Sequence, residues 1–183
     1  MKKYEFTGET KEIRLLFRTA TLHRIRATVA FGIVEVGDLG GWIEKEENLS
    51  HEGKAWVWGN AEVCGDAEVW GNAKVCGDAK VWGNAEVWGN AEVWGNAEVF
   101  SASHVLVIGA IGSRNDFTTF YRDKDNEITV KCGCFLGKID RFLEKVTQTH
   151  GDSKYALVYR AAVEVAKLQI DLSGEAPKDA DEE

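Results

Sequence analysis

Side chains that could do chemistry at neutral pH are few in this chain of 183 residues: four histidines and four cysteines, with one glycine-rich string and a run of tryptophans beside them. His104 stands where earlier repeats carry Glu68 and Glu86, at steps of eighteen residues. An outward imidazole beside two carboxylates would gain basicity, as a general base requires, and it is the candidate catalytic residue; its plain alternative is a solvated histidine in a decayed repeat. His23 and His51 lack such a setting, and His150 precedes the Gly151 that ends a helical pattern, where a cation suits the helix dipole. Cys132 and Cys134 are one residue closer than the CxxC of zinc and redox sites, and no second pair lies nearby. Cys64 and Cys76 occupy positions where sister repeats carry Trp. All four read as free thiols, so no metal and no cofactor is expected. The string GDLGG at 37–41 lacks both GxGxxG and the lysine of a P-loop, and reads as a sharp turn leading into Trp42 and Ile43. Rows of tryptophan could stack on sugar rings or nucleobases, but most stand in register with acids, which disfavours a phosphate backbone.

The element that must position these residues is a hexad. From Ala55 the chain reads AWVWGN, AEVCGD, AEVWGN, AKVCGD, AKVWGN, AEVWGN, AEVWGN, and then the decayed AEVFSA and SHVLVI. Within each unit Ala, charged residue, Val and Trp or Cys alternate with period two, a strand signal, and Gly followed by Asn or Asp supplies a corner tolerant of positive φ. Ala and Val are the only pair small enough for a narrow interior, so they point in, and the charged residue and Trp point out. A helix is excluded by the period of six and by a glycine in nearly every unit.

This stretch resembles the hexapeptide repeat of left-handed parallel β-helices, in which an aliphatic residue recurs every six positions and three hexads make a triangular coil. Together with the flanks GDLGGWIEKEENLS and IGSRNDFTTFYRDKDNEITVKCGCF, it is similar to a family of prophage and bacterial hexapeptide-repeat proteins. The resemblance implies the fold and its left hand, since the general crossover rule favours the opposite one. It carries no established activity. Because many hexapeptide-repeat proteins are acyltransferases, it also raises acyl transfer to a small amine or hydroxyl through His104; the absence of a loop extruded from the hexads, and a solenoid of only three coils, argue against that reading.

At eighteen residues per coil, the nine hexads of 55–108 give about three coils, rising roughly 4.8 Å each. The outward charged rows are then Trp56, Lys74, Glu92; Glu62, Lys80, Glu98; and Glu68, Glu86, His104. The outer apolar rows are Trp58, Cys76, Trp94; Cys64, Trp82, Phe100; and Trp70, Trp88, Leu106. The fold expected is mainly β: a short left-handed parallel β-helix over 55–108, an N-terminal β cap with its lead-in segment over 1–54, and an α+β cap of a hairpin and two helices over 109–172. A disordered acidic tail follows over 173–183. In the N-terminal cap, IRLLFRTATLHRIRATVAF and GIVEV read as strands.

Three sides with an apolar row each, and only two flanking segments to cover them, imply that at least one row lies in a subunit interface. Trp70 and Trp88 are the best candidates, with Trp58, Trp82, Trp94 and Phe100 behind them, in a homotrimer first and a dimer second. The net charge of −8, with seven acids against two lysines over 55–100, argues against free nucleic acid as a direct partner. Neither a membrane-spanning run nor a secretion signal is read, so the bacterial cytoplasm is the expected location. The function expected is a non-enzymatic scaffold that binds itself or a host protein. The alternative is an acidic DNA mimic that inhibits a host defence or DNA-processing protein.

Overall fold

A two-residue strand closed by a glycine-led corner every six positions cannot lie flat, and it winds the chain into a coil. The computed structural model describes residues 2–15 and 18–173; the acidic tail beyond Ser173 lies outside the described residues. The chain opens with β1 (Tyr4–Leu15), β2 (Arg18–Ala27) and β3 (Leu39–Ile43). One short strand per hexad follows: β4 (Trp56–Val57), β5 (Glu62–Val63), β6 (Glu68–Val69), β7 (Lys74–Val75), β8 (Lys80–Val81), β9 (Glu86–Val87), β10 (Glu92–Val93) and β11 (Glu98–Val99). Next come β12 (Val105–Ile111), β13 (Asp116–Arg122), β14 (Ile128–Cys132) and β15 (Phe135–Lys138), then helices α1 (Ile139–His150) and α2 (Lys154–Gln169).

The hexads stack as a parallel β-solenoid of about three turns. Val57 pairs with Val75 and Val75 with Val93, Val63 with Val81 and Val81 with Val99, and Val69 with Val87. Each coil therefore takes eighteen residues. Backbone bonds run between coils, as from the Trp56 N–H to the Ala73 carbonyl at 3.0 Å and from the Trp58 N–H to that of Val75 at 2.8 Å. Every Ala and Val at the inward hexad positions from Ala55 to Val99 is fully buried. The corners need glycine for two reasons. At Gly71 φ is +74°, and a Cβ would sit 3.0 Å from the backbone nitrogen of Gly89 in the next coil.

Parallel stacking starts earlier than the hexads do. Trp42 pairs with Glu62, Ile43 with Val63, and Leu49 bridges Val69. This first coil takes twenty residues, from Ile43 to Val63, because eight rather than six separate Leu49 from Val57. Its corner is held by the fully buried Asn48, whose amide donates to the carbonyls of Gly65 and Ala67 at 3.1 and 2.8 Å and accepts from the Lys45 N–H. Stacking also ends early. After Phe100 the chain makes a single 3-10 turn at Ala102–His104, with the Ser101 hydroxyl accepting from the Ser103 N–H. The decayed hexad SHVLVI then becomes β12, an antiparallel partner of β13.

Both ends of the solenoid are closed by sheets. The β1–β2 hairpin adds antiparallel to β3 and extends one side into a six-stranded sheet. GIVEV is not a strand: Gly32 takes φ +57°, Phe31 and Val34 form one isolated bridge, and Ile33 is 77% exposed. The segment turns back on itself instead, Phe31 and Val34 exchanging backbone hydrogen bonds at 3.0 and 2.9 Å. At the other end β12–β15 form an antiparallel sheet in which Phe120, Val130 and neighbours pack on α1 and α2. Tyr121 joins the solenoid core instead. α1 ends at Gly151 with φ +55°, as the sequence leads one to expect.

Replacing Val81, fully buried at mid-coil, by Asp should abolish cooperative unfolding, since an unpaired carboxylate in an apolar interior costs about 3 to 5 kcal/mol or more. Glu86→Gln, on the exposed outer face, should leave the melting temperature nearly unchanged. Equal tolerance at both positions, measured by circular dichroism melts, would contradict the inside/outside assignment.

Candidate interaction surface

The three outer apolar rows meet different fates, and the flanking segments decide which. On the side built from β3, β5, β8 and β11, Cys64 and Trp82 are buried against Leu22 of β2, with Ile13, Trp42 and Phe100 packed around them. Phe100 carries the Arg122 guanidinium over its ring at 4.5 Å. The charged row of this side keeps the expected register, Glu62 beside Lys80 beside Glu98. Glu62 also takes an ion pair at 2.6 Å from Lys11 of the N-terminal hairpin.

On the side of β4, β7 and β10 the C-terminal sheet supplies part of the cover. The Tyr121 hydroxyl donates to the Trp94 carbonyl at 2.9 Å and accepts from the Trp94 N–H at 3.3 Å. Lys131 lies over the Trp94 ring at 4.9 Å. Trp58 is half-buried, edge-on to the fully buried Trp56. Burial pushes the Cys76 thiol, between those two tryptophans in the stack, up to about 12, and Glu92 adds to the effect. Glu92 is itself hydrogen-bonded by Lys74 and Lys131: burial works to raise its pKa, and the two lysines outweigh it, so it stays an anion below its usual range.

The third side, β6 and β9, is left bare by the described residues. Trp70 and Trp88 are 41% and 54% exposed, and their rings stack at 5.4 Å with an interplanar angle of 11°. Glu68 and Glu86 pair in register beside them, both exposed, and neither makes an ion pair among the described residues. Leu106 does not complete this row; in β12 it packs toward the helices and, with Val107 and Phe117, lines a groove of about 470 Å³ along Trp88.

His104 is likewise not in an outward row beside Glu68 and Glu86. The hexad before it has Ser101 and Ala102 in place of the Gly-Asn corner, so the chain leaves the solenoid, and His104 ends 2% exposed. Its Nδ1 accepts from the Phe100 N–H at 3.3 Å, and its ring meets that of Phe100 edge-on at 4.3 Å. Burial lowers its pKa and nearby Arg122 lowers it further, against a weaker opposing pull from Asp171. This is a core imidazole kept neutral, and acyl transfer loses its proposed base. The cysteines are free thiols, with Cys134 exposed and Cys132 accepting from the Thr118 hydroxyl at 3.2 Å. Among the described residues no cluster of three or more His, Cys, Asp or Glu could hold a metal ion, and no helix is long and apolar enough to cross a membrane.

Two further surfaces lie outside the outward rows of the repeat. α2 exposes Leu157, Val165 and Leu168 opposite its packed face; their spacing of eight and then three is a helical stripe that was legible in principle. A cleft joins Phe31, Lys54 and Lys131, residues far apart in sequence, and no local pattern signals it. Compared with family models and with curated proteins, the chain matches none.

A histidine whose pKa is lowered on folding contributes stability above its unfolded value of about 6.5 that is lost as pH falls through the folded one. Thermal stability should therefore decline on the acid side of pH 6.5, and His104→Gln, which can still accept from the Phe100 N–H but does not titrate, should flatten that decline. An unchanged pH profile in the variant would mean His104 is not the group responsible.

Proposed function

We propose that the protein is a non-enzymatic scaffold of the hexapeptide-repeat type, and that it pairs with a second copy of itself through the Trp70–Trp88 side. The observation that supports this is the exposed, stacked tryptophan pair on the one side of the prism that neither cap covers. A fully buried Trp removes on the order of 150 to 250 Å² from water, so a contiguous exposed pair beside an apolar groove favours association. One bare side per chain suits a two-fold pairing, bare side on bare side, in which each stacked pair meets its equivalent. That geometry favours the dimer over the trimer expected from the resemblance. A prophage origin and a place in the bacterial cytoplasm fit the same resemblance.

A second reading has its own support. Glu68 and Glu86 flank the tryptophans and make no ion pair among the described residues, so the same side suits a basic protein that takes an apolar anchor, as an acidic mimic of DNA would offer. Salt separates the two readings. In a two-fold pair the acids of both chains approach one another, so screening strengthens association; with a basic partner screening weakens it.

Light scattering at micromolar concentration should give a dimer mass that Trp88→Glu reduces to a monomer and that added salt stabilises. Glu86→Gln should tighten the pair. A wild type that stays monomeric across this range would overturn self-association, and salt-sensitive capture of a basic protein that duplex DNA competes away would favour mimicry.

A further inference from the structure

The side of the prism built from β4, β7 and β10 is roofed only in part. Between the turn at Phe31–Val34 of the N-terminal cap and strands β13 and β14 of the C-terminal sheet lies a cleft of about 610 Å³, within the span of about 300 to 1,000 Å³ that small-molecule sites occupy. Its floor is the stacked row Trp56, Lys74, Glu92, and Trp58 and Trp94 stand alongside. All three parts of the fold thus meet at one concave surface.

We propose that this cleft binds a small planar anion, of which a nucleoside monophosphate is the type. Charge supports the anion. Lys54, Lys74 and Lys131 face the cleft against Glu92 and Asp116, which makes it locally positive in a protein of net charge −8. Glu92 is already matched twice, by Lys74 at 2.8 Å and Lys131 at 3.0 Å. Lys54 makes no ion pair among the described residues and is exposed at the rim, with its stem beside Gly32. A phosphate there would gain a charge-assisted bond from Lys54 and the field of the other two ammonium groups.

The aromatic lining supports the plane. Phe31 comes from one cap, Phe117 from the other, and Trp58 and Trp94 from the solenoid, so four aromatic side chains line the cleft for a flat ring to pack against, with Lys131 already over the Trp94 ring at 4.9 Å. The indole N–H groups of Trp56 and Trp94 have no acceptor among the described residues. Asn72 donates to Asn90 at 3.1 Å, which leaves a carbonyl oxygen on the first and amide hydrogens on the second to meet the polar edge of a base. Both positions are corner residues of neighbouring coils, so the solenoid repeat itself sets their spacing.

Isothermal titration calorimetry with AMP, adenosine and inorganic phosphate tests the proposal. AMP should bind, with adenosine and phosphate each weaker by about tenfold or more, a loss of about 1.4 kcal/mol. Its affinity should fall as salt rises. Lys54→Ala, at an exposed position, should weaken AMP by about tenfold without altering the melting temperature, and Trp58→Ala should weaken it too. Lys145→Ala, exposed on α1 and outside the lining of the cleft, should bind AMP as the wild type does. No heat with AMP at millimolar concentration would overturn the proposal, as would adenosine or phosphate binding as well as AMP, or an affinity indifferent to Lys54→Ala.

Discussion

The interior of the prism admits alanine and valine and little else, and the rest of the structure follows from that width. Two inward side chains per hexad, repeated through the stacked coils, form a closed apolar column in which every member is fully buried. A column so narrow cannot hold an aromatic ring between its ends, so each tryptophan of the repeat is forced outward. The chain therefore presents on its outside the large apolar side chains that most proteins keep within, and it must use other segments to cover them.

The caps meet that demand and a second one together. A solenoid ends in open strand edges, which invite unwanted pairing unless they are closed. At one end Tyr4 enters the apolar column and its hydroxyl donates to the Leu49 carbonyl at 2.8 Å; at the other, Tyr121 does the same with Trp94 at 2.9 Å. Two unrelated segments have arrived at one solution: a ring plugs the bore and its hydroxyl bonds to a carbonyl of the end coil. Each cap reaches from its plug along one side, the hairpin over Trp82 and the C-terminal sheet over Trp94. Two caps reach two sides, and the third stays bare.

What the sequence made legible was whatever repeats. Six-residue spacing carried the coil, the inward pair and the outward registers through Val99, because each follows from local alternation and a step of eighteen. The hairpin of β13 and β14 and both helices were legible from their own periodicity. The departures lie where local pattern and long-range packing part company. Ile43 and Leu49 keep the six-residue spacing, but a two-residue insertion before Val57 hid the coil they build. At the far end, Val105 and Leu106 keep the alternation of a hexad while Ser101 has replaced the glycine that turns the corner; with no corner, the same alternation served an antiparallel sheet. That lost corner is what takes His104 out of the outward row. The cleft could not be foreseen, because its walls come from segments separated by the whole solenoid.

One repeat thus yields three chemically distinct sides, and the difference comes from which charge occupies the second position of each hexad. Where lysine falls above or below glutamate, as at Lys74 and Glu92, the ladder is an ion pair that a cap can approach without burying net charge, and Lys131 does so. Where glutamate falls on glutamate, as at Glu68 and Glu86, the ladder repels itself and holds only because water screens both carboxylates. A permanent intramolecular cover over that side would strip this water and leave two acids unpaired. The tryptophans alone would favour a cover on every side; the like-charged pair next to them opposes one here. A side with a paired charge ladder under a cap and a side with a like-charged ladder in solvent thus differ by a single lysine-for-glutamate exchange within an otherwise uniform repeat.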